Sequence, residues 1–103
     1  MAIRHCVFFR FRADVPDTER AAIRADLDAL WDHLKGMGPV LWGKNVSPEG
    51  LSQGFNDGFT IDFDSATARD AYLIDPAHQK AGGRLVAALD GGVAGLIVVD
   101  IGI

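Results

Sequence analysis

Cysteine occurs only once in this chain, at Cys6, so no intramolecular disulfide can staple the fold. A reducing cytoplasm is the expected setting. As a lone thiol in a strand, Cys6 reads as a small core or interface residue. A reactive thiol needs exposure and a nearby positive charge, and Arg4 and Arg10 keep that alternative open. No apolar stretch is long enough to span a bilayer, and no basic leader precedes a long apolar run, so neither a membrane partner nor an export signal is expected. Positive charge is also scarce. Ten Lys and Arg face fourteen Asp and Glu, for a net charge of −4. Arg4, Arg10 and Arg12 cluster, but carboxylates oppose them, which falls short of the concentrated basic patch that nucleic acid demands. A Walker loop, a dinucleotide glycine fingerprint and a serine nucleophile elbow are all missing, because Gly82-Gly83 and Gly91-Gly92 stand in other contexts. No cofactor is expected. His5, His33, His78 and Cys6 lack metal-ligand spacing, so no metal site is expected either.

What the chain does have is apolar content, 49% of 103 residues, enough for one domain over residues 1–103 with a modest core that a partner would reinforce. Ile3 to Phe11 alternate with the period of a strand, placing Ile3, His5, Val7, Phe9 and Phe11 on one face. Pro16 and Asp17 open an acidic-ended helix in which Ile23, Leu27, Leu30, Trp31 and Leu34 form one stripe, ended by Gly36 and Gly38. Val40 to Val46 reads as a second strand. A Ser47-Pro48-Glu49-Gly50 turn and a polar loop lead to a third strand carrying Phe59, Ile61 and Phe63. Ser65 is placed to cap a helix that Asp75-Pro76 breaks, and Pro76 suits the first turn of the next helical segment. Gly82 and Gly83 weaken that segment and permit a bend or close packing. The last strand, around Leu96 to Ile101, is apolar on both faces and so expected to be covered on both.

Strand, helix, strand, strand, helix, strand in so short a chain favours an α+β, ferredoxin-like split βαβ fold with a four-stranded antiparallel sheet and its helices on one side. Phe8, Cys6, Trp42 and the last strand then leave an apolar patch on the bare face, the mark of a homodimer formed by sheet-to-sheet packing.

Three side chains invite a chemical reading. His5 interrupts an apolar strand face, where an imidazole needs a buried partner or a cavity. Tyr72 closes one helix and His78 opens the next. An imidazole with a pKa near about 6.5 can take a proton alpha to a carbonyl at neutral pH, and a phenol with a pKa of about 10 stays protonated to donate to the developing oxyanion. Each also has a plainer role: a satisfied core histidine, a brace for the Pro76 turn, and an amphipathic ring with its hydroxyl at the surface. His33, expected in the last turn of the first helix, complements the helix dipole. Asp62 and Asp64 simply alternate along a strand face.

The segments Arg4-His5-Cys6-Val7-Phe8-Phe9-Arg10-Phe11, Trp42-Gly43-Lys44-Asn45-Val46-Ser47 and Tyr72-Leu73-Ile74-Asp75-Pro76-Ala77-His78 resemble the stress-responsive dimeric α/β-barrel (Dabb) family. The resemblance covers nearly the whole chain. It implies two sheets facing one another as a dimeric α/β barrel, each subunit with a pocket between its own sheet and helices. In a plant polyketide cyclase of that family, the residues matching His78 and Tyr72 carry a cofactor-free aldol cyclisation, and a strand histidine matches His5. Leu27 and Asp57 stand where that cyclase has a tyrosine and a histidine. The resemblance thus implies a pocket lined by Val7, Phe9, Ile23, Leu27 and Phe59, with His78 as base, Tyr72 as hydrogen-bond donor and His5 orienting the ligand. The bulk of Phe59 and Phe9 points to a small or flat carbonyl or aromatic compound. Three readings stay open: a cofactor-free lyase, cyclase or isomerase; a non-catalytic ligand-binding or stress-protective dimer; and, by fold analogy, a cofactor-free oxygenase.

Overall fold

In the computed structural model, which describes residues 1–103, the alternation of the first segment becomes strand β1 (Ile3–Phe9). Ile3, His5, Val7 and Phe9 are buried against the helices, while Arg4 and Phe8 point to the opposite face. The strand stops short of Phe11, which keeps only an isolated bridge to Leu89. Helix α1 (Asp17–Asp28) is also shorter than the apolar stripe suggests, because it tightens into a 3-10 turn over Ala29–Asp32. Three residues per turn hold Leu30 on the buried side but rotate Trp31 outward, to 52% exposure. His33 lies just past that turn, and instead of capping a helix end its Nε2 meets Asp75 Oδ1 at 3.2 Å.

Strand β2 (Leu41–Lys44) pairs with β3 (Asp57–Phe63), and Ser65 then caps α2 (Ala66–Ile74) by accepting a hydrogen bond from the Ala68 amide. Asp75 precedes a proline, which forces it into extended backbone and ends α2. The same residue is the N-cap of α3 (Pro76–Ala87), its Oδ2 accepting from the His78 amide at 3.0 Å. Together α2 and α3 fill the place of the second helix of the expected fold. Gly82 and Gly83 lie inside α3 without ending it. A second 3-10 turn (Gly92–Gly95) delivers the chain to β4 (Leu96–Gly102).

The sheet order is β2-β3-β1-β4 with every pair antiparallel, the ferredoxin-like topology. Register sets the site: His5 stands between Ile61 and Asp100, and Val7 between Phe59 and Val98, all on the helix side. Phe9, Phe59, Ile61 and Phe63 pack there against Ile23, Leu27 and Leu30 of the first helical segment and Leu85 and Leu89 beyond α2.

Two expectations for the bare face change. Trp42 lies opposite Phe59 in register and so faces the helices, its ring 4.7 Å from that of Phe59 and its Nε1 donating to Asp28 Oδ1 at 2.7 Å. Leu41 takes its place on the open side. The outer row of β4, Ile97, Val99 and Ile101, is uncovered rather than sandwiched, since all the helices lie across the sheet from it. Asp62 sits on this face in a two-pronged ion pair with Arg4, at 2.8 and 2.9 Å. Cys6 is buried even here, and burial pushes its thiol up, the opposite of what a nucleophile needs. No helix is long and apolar enough to cross a membrane.

Candidate functional site

Between the sheet and the α2–α3 corner lies a cavity of about 210 Å³. His5, Tyr72 and His78 all line it, brought together from β1, the end of α2 and the start of α3. The Asp75-Pro76 break achieves this: by stopping one helix and capping the next, it sets Tyr72 and His78 on adjoining helix ends, with ring centroids 4.0 Å apart. His5 approaches Tyr72 edge-on, at 5.6 Å. Of the expected apolar lining, Val7, Leu27 and Phe59 are present. Phe9 and Ile23 are not; both are sealed in the core beside a separate groove under α1. Their places are taken by Leu73, Leu85, Val86, Leu96 and Val98. Asp57 starts β3 opposite Phe9 and Lys44, outside the cavity and on that second groove.

The polar atoms of the site fall into two groups. His5 Nδ1 donates to Asp100 Oδ1 at 2.6 Å, and Arg69 Nη1 donates to Asp100 Oδ2 at 2.6 Å. Burial pushes the Asp100 carboxyl up, but the hydrogen bonds from His5 and Arg69 outweigh it and hold the group below the usual carboxylate range. An ionised Asp100 holds a proton on His5 Nδ1 and fixes the orientation of the ring. The second group is unpaired. The Tyr72 hydroxyl and His78 Nδ1 are both buried with no hydrogen-bond partner. Burial drives the Tyr72 phenol well above its ordinary value, so it stays protonated. Burial likewise lowers His78, helped by the nearby His5, while the Leu73 carbonyl and Asp75 pull less strongly the other way. At neutral pH the site therefore presents a phenol donor and an uncharged imidazole.

Asp100 and Arg69 escaped the reading of the sequence. Asp100 carried a signal, because it breaks an apolar strand as His5 does, and neighbouring antiparallel strands bring such interruptions together. Arg69 carried none, being one of two exposed-looking charges on a short helix.

Residues 3–102 match the stress responsive A/B barrel domain. The chain belongs to that family. This A/B barrel chain is 24% identical to olivetolic acid cyclase of Cannabis sativa over 82 residues, 80% of the chain and 81% of the cyclase. It is 27% identical over 88 residues to a stress-response A/B barrel domain-containing protein of Arabidopsis thaliana, covering 85% and 81%. Among solved structures, a dimeric ferredoxin-like protein of unknown function from Jannaschia sp. CCS1 superposes with a TM-score of 0.91 at 32% identity, covering all of both chains.

Proposed function

We propose that this A/B barrel chain is a single-domain cytoplasmic homodimer, its two sheets packed face to face. Each subunit binds a small carbonyl or aromatic compound beside His5, Tyr72 and His78 and performs cofactor-free proton transfer of the lyase or cyclase kind. One observation carries this reading. Two buried polar atoms, the Tyr72 hydroxyl and His78 Nδ1, lack partners on side chains that share one cavity wall. Leaving a buried polar group unpaired costs about 1–3 kcal/mol, and a polar ligand in the cavity would recover part of it.

In the reaction, neutral His78 takes a proton from the carbon alpha to the ligand carbonyl. The C–H electron pair moves into the new C=C bond, and the carbonyl oxygen becomes an enolate to which the Tyr72 O–H donates. The enolate carbon then attacks a second carbonyl, whose alkoxide oxygen takes the imidazolium proton, or is itself reprotonated by the imidazolium; either way His78 returns to its starting state. His5, held by Asp100, stands in a fixed orientation beside the same wall. The similarity to a protein named as a cyclase supports this chemistry, and the dimeric relative supports the assembly.

A thermal-shift panel of phenolic acids, β-keto compounds and acyl thioester analogues tests the reading on wild type beside the Tyr72→Phe/His78→Ala double variant. Stabilisation of wild type alone, followed by turnover lost in the variant, is the expected result. No hit on a folded wild type removes the ligand-binding reading, and a hit without turnover removes the catalytic part.

A further inference from the structure

The walls of the cavity hold no lysine, arginine or carboxylate. All twelve lining residues are apolar, glycine, tyrosine or histidine. The charges that come nearest in the fold are already used: Arg69 is bound to Asp70 and Asp100, and Asp100 to His5. An anionic group entering here would lose its water and gain at most hydrogen bonds from neutral donors. A ketone or aldehyde oxygen needs only one such donor, and the Tyr72 hydroxyl is free to be it. Size narrows the choice further. About 210 Å³ lies below the range of about 300–1,000 Å³ typical for drug-sized ligands, and a cavity of about 150 Å³ already accepts benzene.

We infer that this cavity selects an uncharged carbonyl compound no larger than a substituted benzene ring and rejects the corresponding carboxylate. The inference rests on the ligand-binding reading above and adds charge and size selectivity to it. The low basicity of His78 agrees, since a neutral imidazole offers an anion no counter-charge.

Acetophenone and benzamide are neutral and benzoate is anionic, while all three have the same number of non-hydrogen atoms, so together they test charge at fixed size. Each is titrated into the 15N-labelled protein at pH 7, following the amide resonances of Leu73, Gly82 and Val98 around the cavity. Acetophenone and benzamide are expected to shift these resonances saturably, with benzoate at least about tenfold weaker. Leu73→Arg, which adds a cation at the exposed part of the lining, is expected to raise the affinity for benzoate relative to acetophenone by about tenfold. Benzoate binding wild type as well as acetophenone overturns the charge selectivity while the pocket stands. If none of the three compounds shifts the cavity resonances, the pocket reading falls and the inference falls with it.

Discussion

A phenol buried without a partner works against folding. Tyr72 is fully sealed from solvent, and its hydroxyl accepts and donates nothing. Tyr72→Phe removes that atom and breaks no hydrogen bond, so the variant is expected to gain about 1 kcal/mol in urea unfolding while losing ligand affinity. A loss of stability instead would show that the hydroxyl is paired in solution. His78 gives a complementary prediction in pH. Its basicity is lower folded than unfolded, chiefly through burial, with the Leu73 carbonyl and Asp75 opposing the effect and His5 adding to it. The unfolded chain therefore binds the proton more readily. The contribution of His78 is full above the unfolded value near about 6.5 and is lost as pH falls through the folded value. Wild type should lose stability between pH 7 and 5, and His78→Phe should show a flatter profile over that interval; identical profiles would rule out a buried neutral His78. At this scale the sequence was partly legible. His5 stood out as a polar group on an apolar strand face, and Tyr72 and His78 as the groups on either side of the Asp75-Pro76 break, whereas the absence of protein partners for two of them depends on which groups the fold brings near.

The helical corner between α2 and α3 turns a sequence signal into a site. Asp75-Pro76 is readable as a break, and Ser65 as a cap, because both act through local backbone chemistry. The end of α1 was not readable, since nothing local in Ala29 to Asp32 distinguishes a 3-10 turn from a continuing helix. Nor was the face of Trp42, which depends on the register of a strand only four residues long. The double glycine of α3 yields a paired test. A methyl group at Gly83 would meet nothing within 4 Å, whereas one at Gly82 would stand 3.9 Å from His78 Nε2, on the cavity wall. Both Gly→Ala changes should stabilise α3 by about 0.5–1 kcal/mol. Only Gly82→Ala should also weaken acetophenone binding, by about tenfold or more through lost space. Equal binding by the two variants would place the ligand elsewhere.

Helices cover just one side of this sheet, and the proposed dimer would cover the other. Ile97, Val99 and Ile101 form an apolar ridge along edge strand β4. Toward the opposite edge, Phe8, Leu41, Phe55 and Ile97 surround a hollow of about 440 Å³, where Gly43 pairs with Gly58 and neither contributes a side chain. A ridge at one edge and a hollow reaching the other suit a two-fold axis through the middle of the sheet, which lays the ridge of one copy toward the hollow of its partner. The sequence announced the ridge, because an edge strand apolar on both faces has to bury both. It could not announce the hollow, which arises only when two glycines far apart in the chain meet in register. Val99 faces outward beside Cys6, midway along edge strand β4. Val99→Asp places a carboxylate there without disturbing the helix-side core, and burying it against a second copy would leave it unpaired. Sedimentation equilibrium at micromolar concentration should give a dimer mass for wild type and a monomer mass for Val99→Asp, with acetophenone binding retained in the monomer, because the cavity lies on the other side of the sheet. A monomeric wild type would remove sheet-to-sheet packing as the reason for this apolar face.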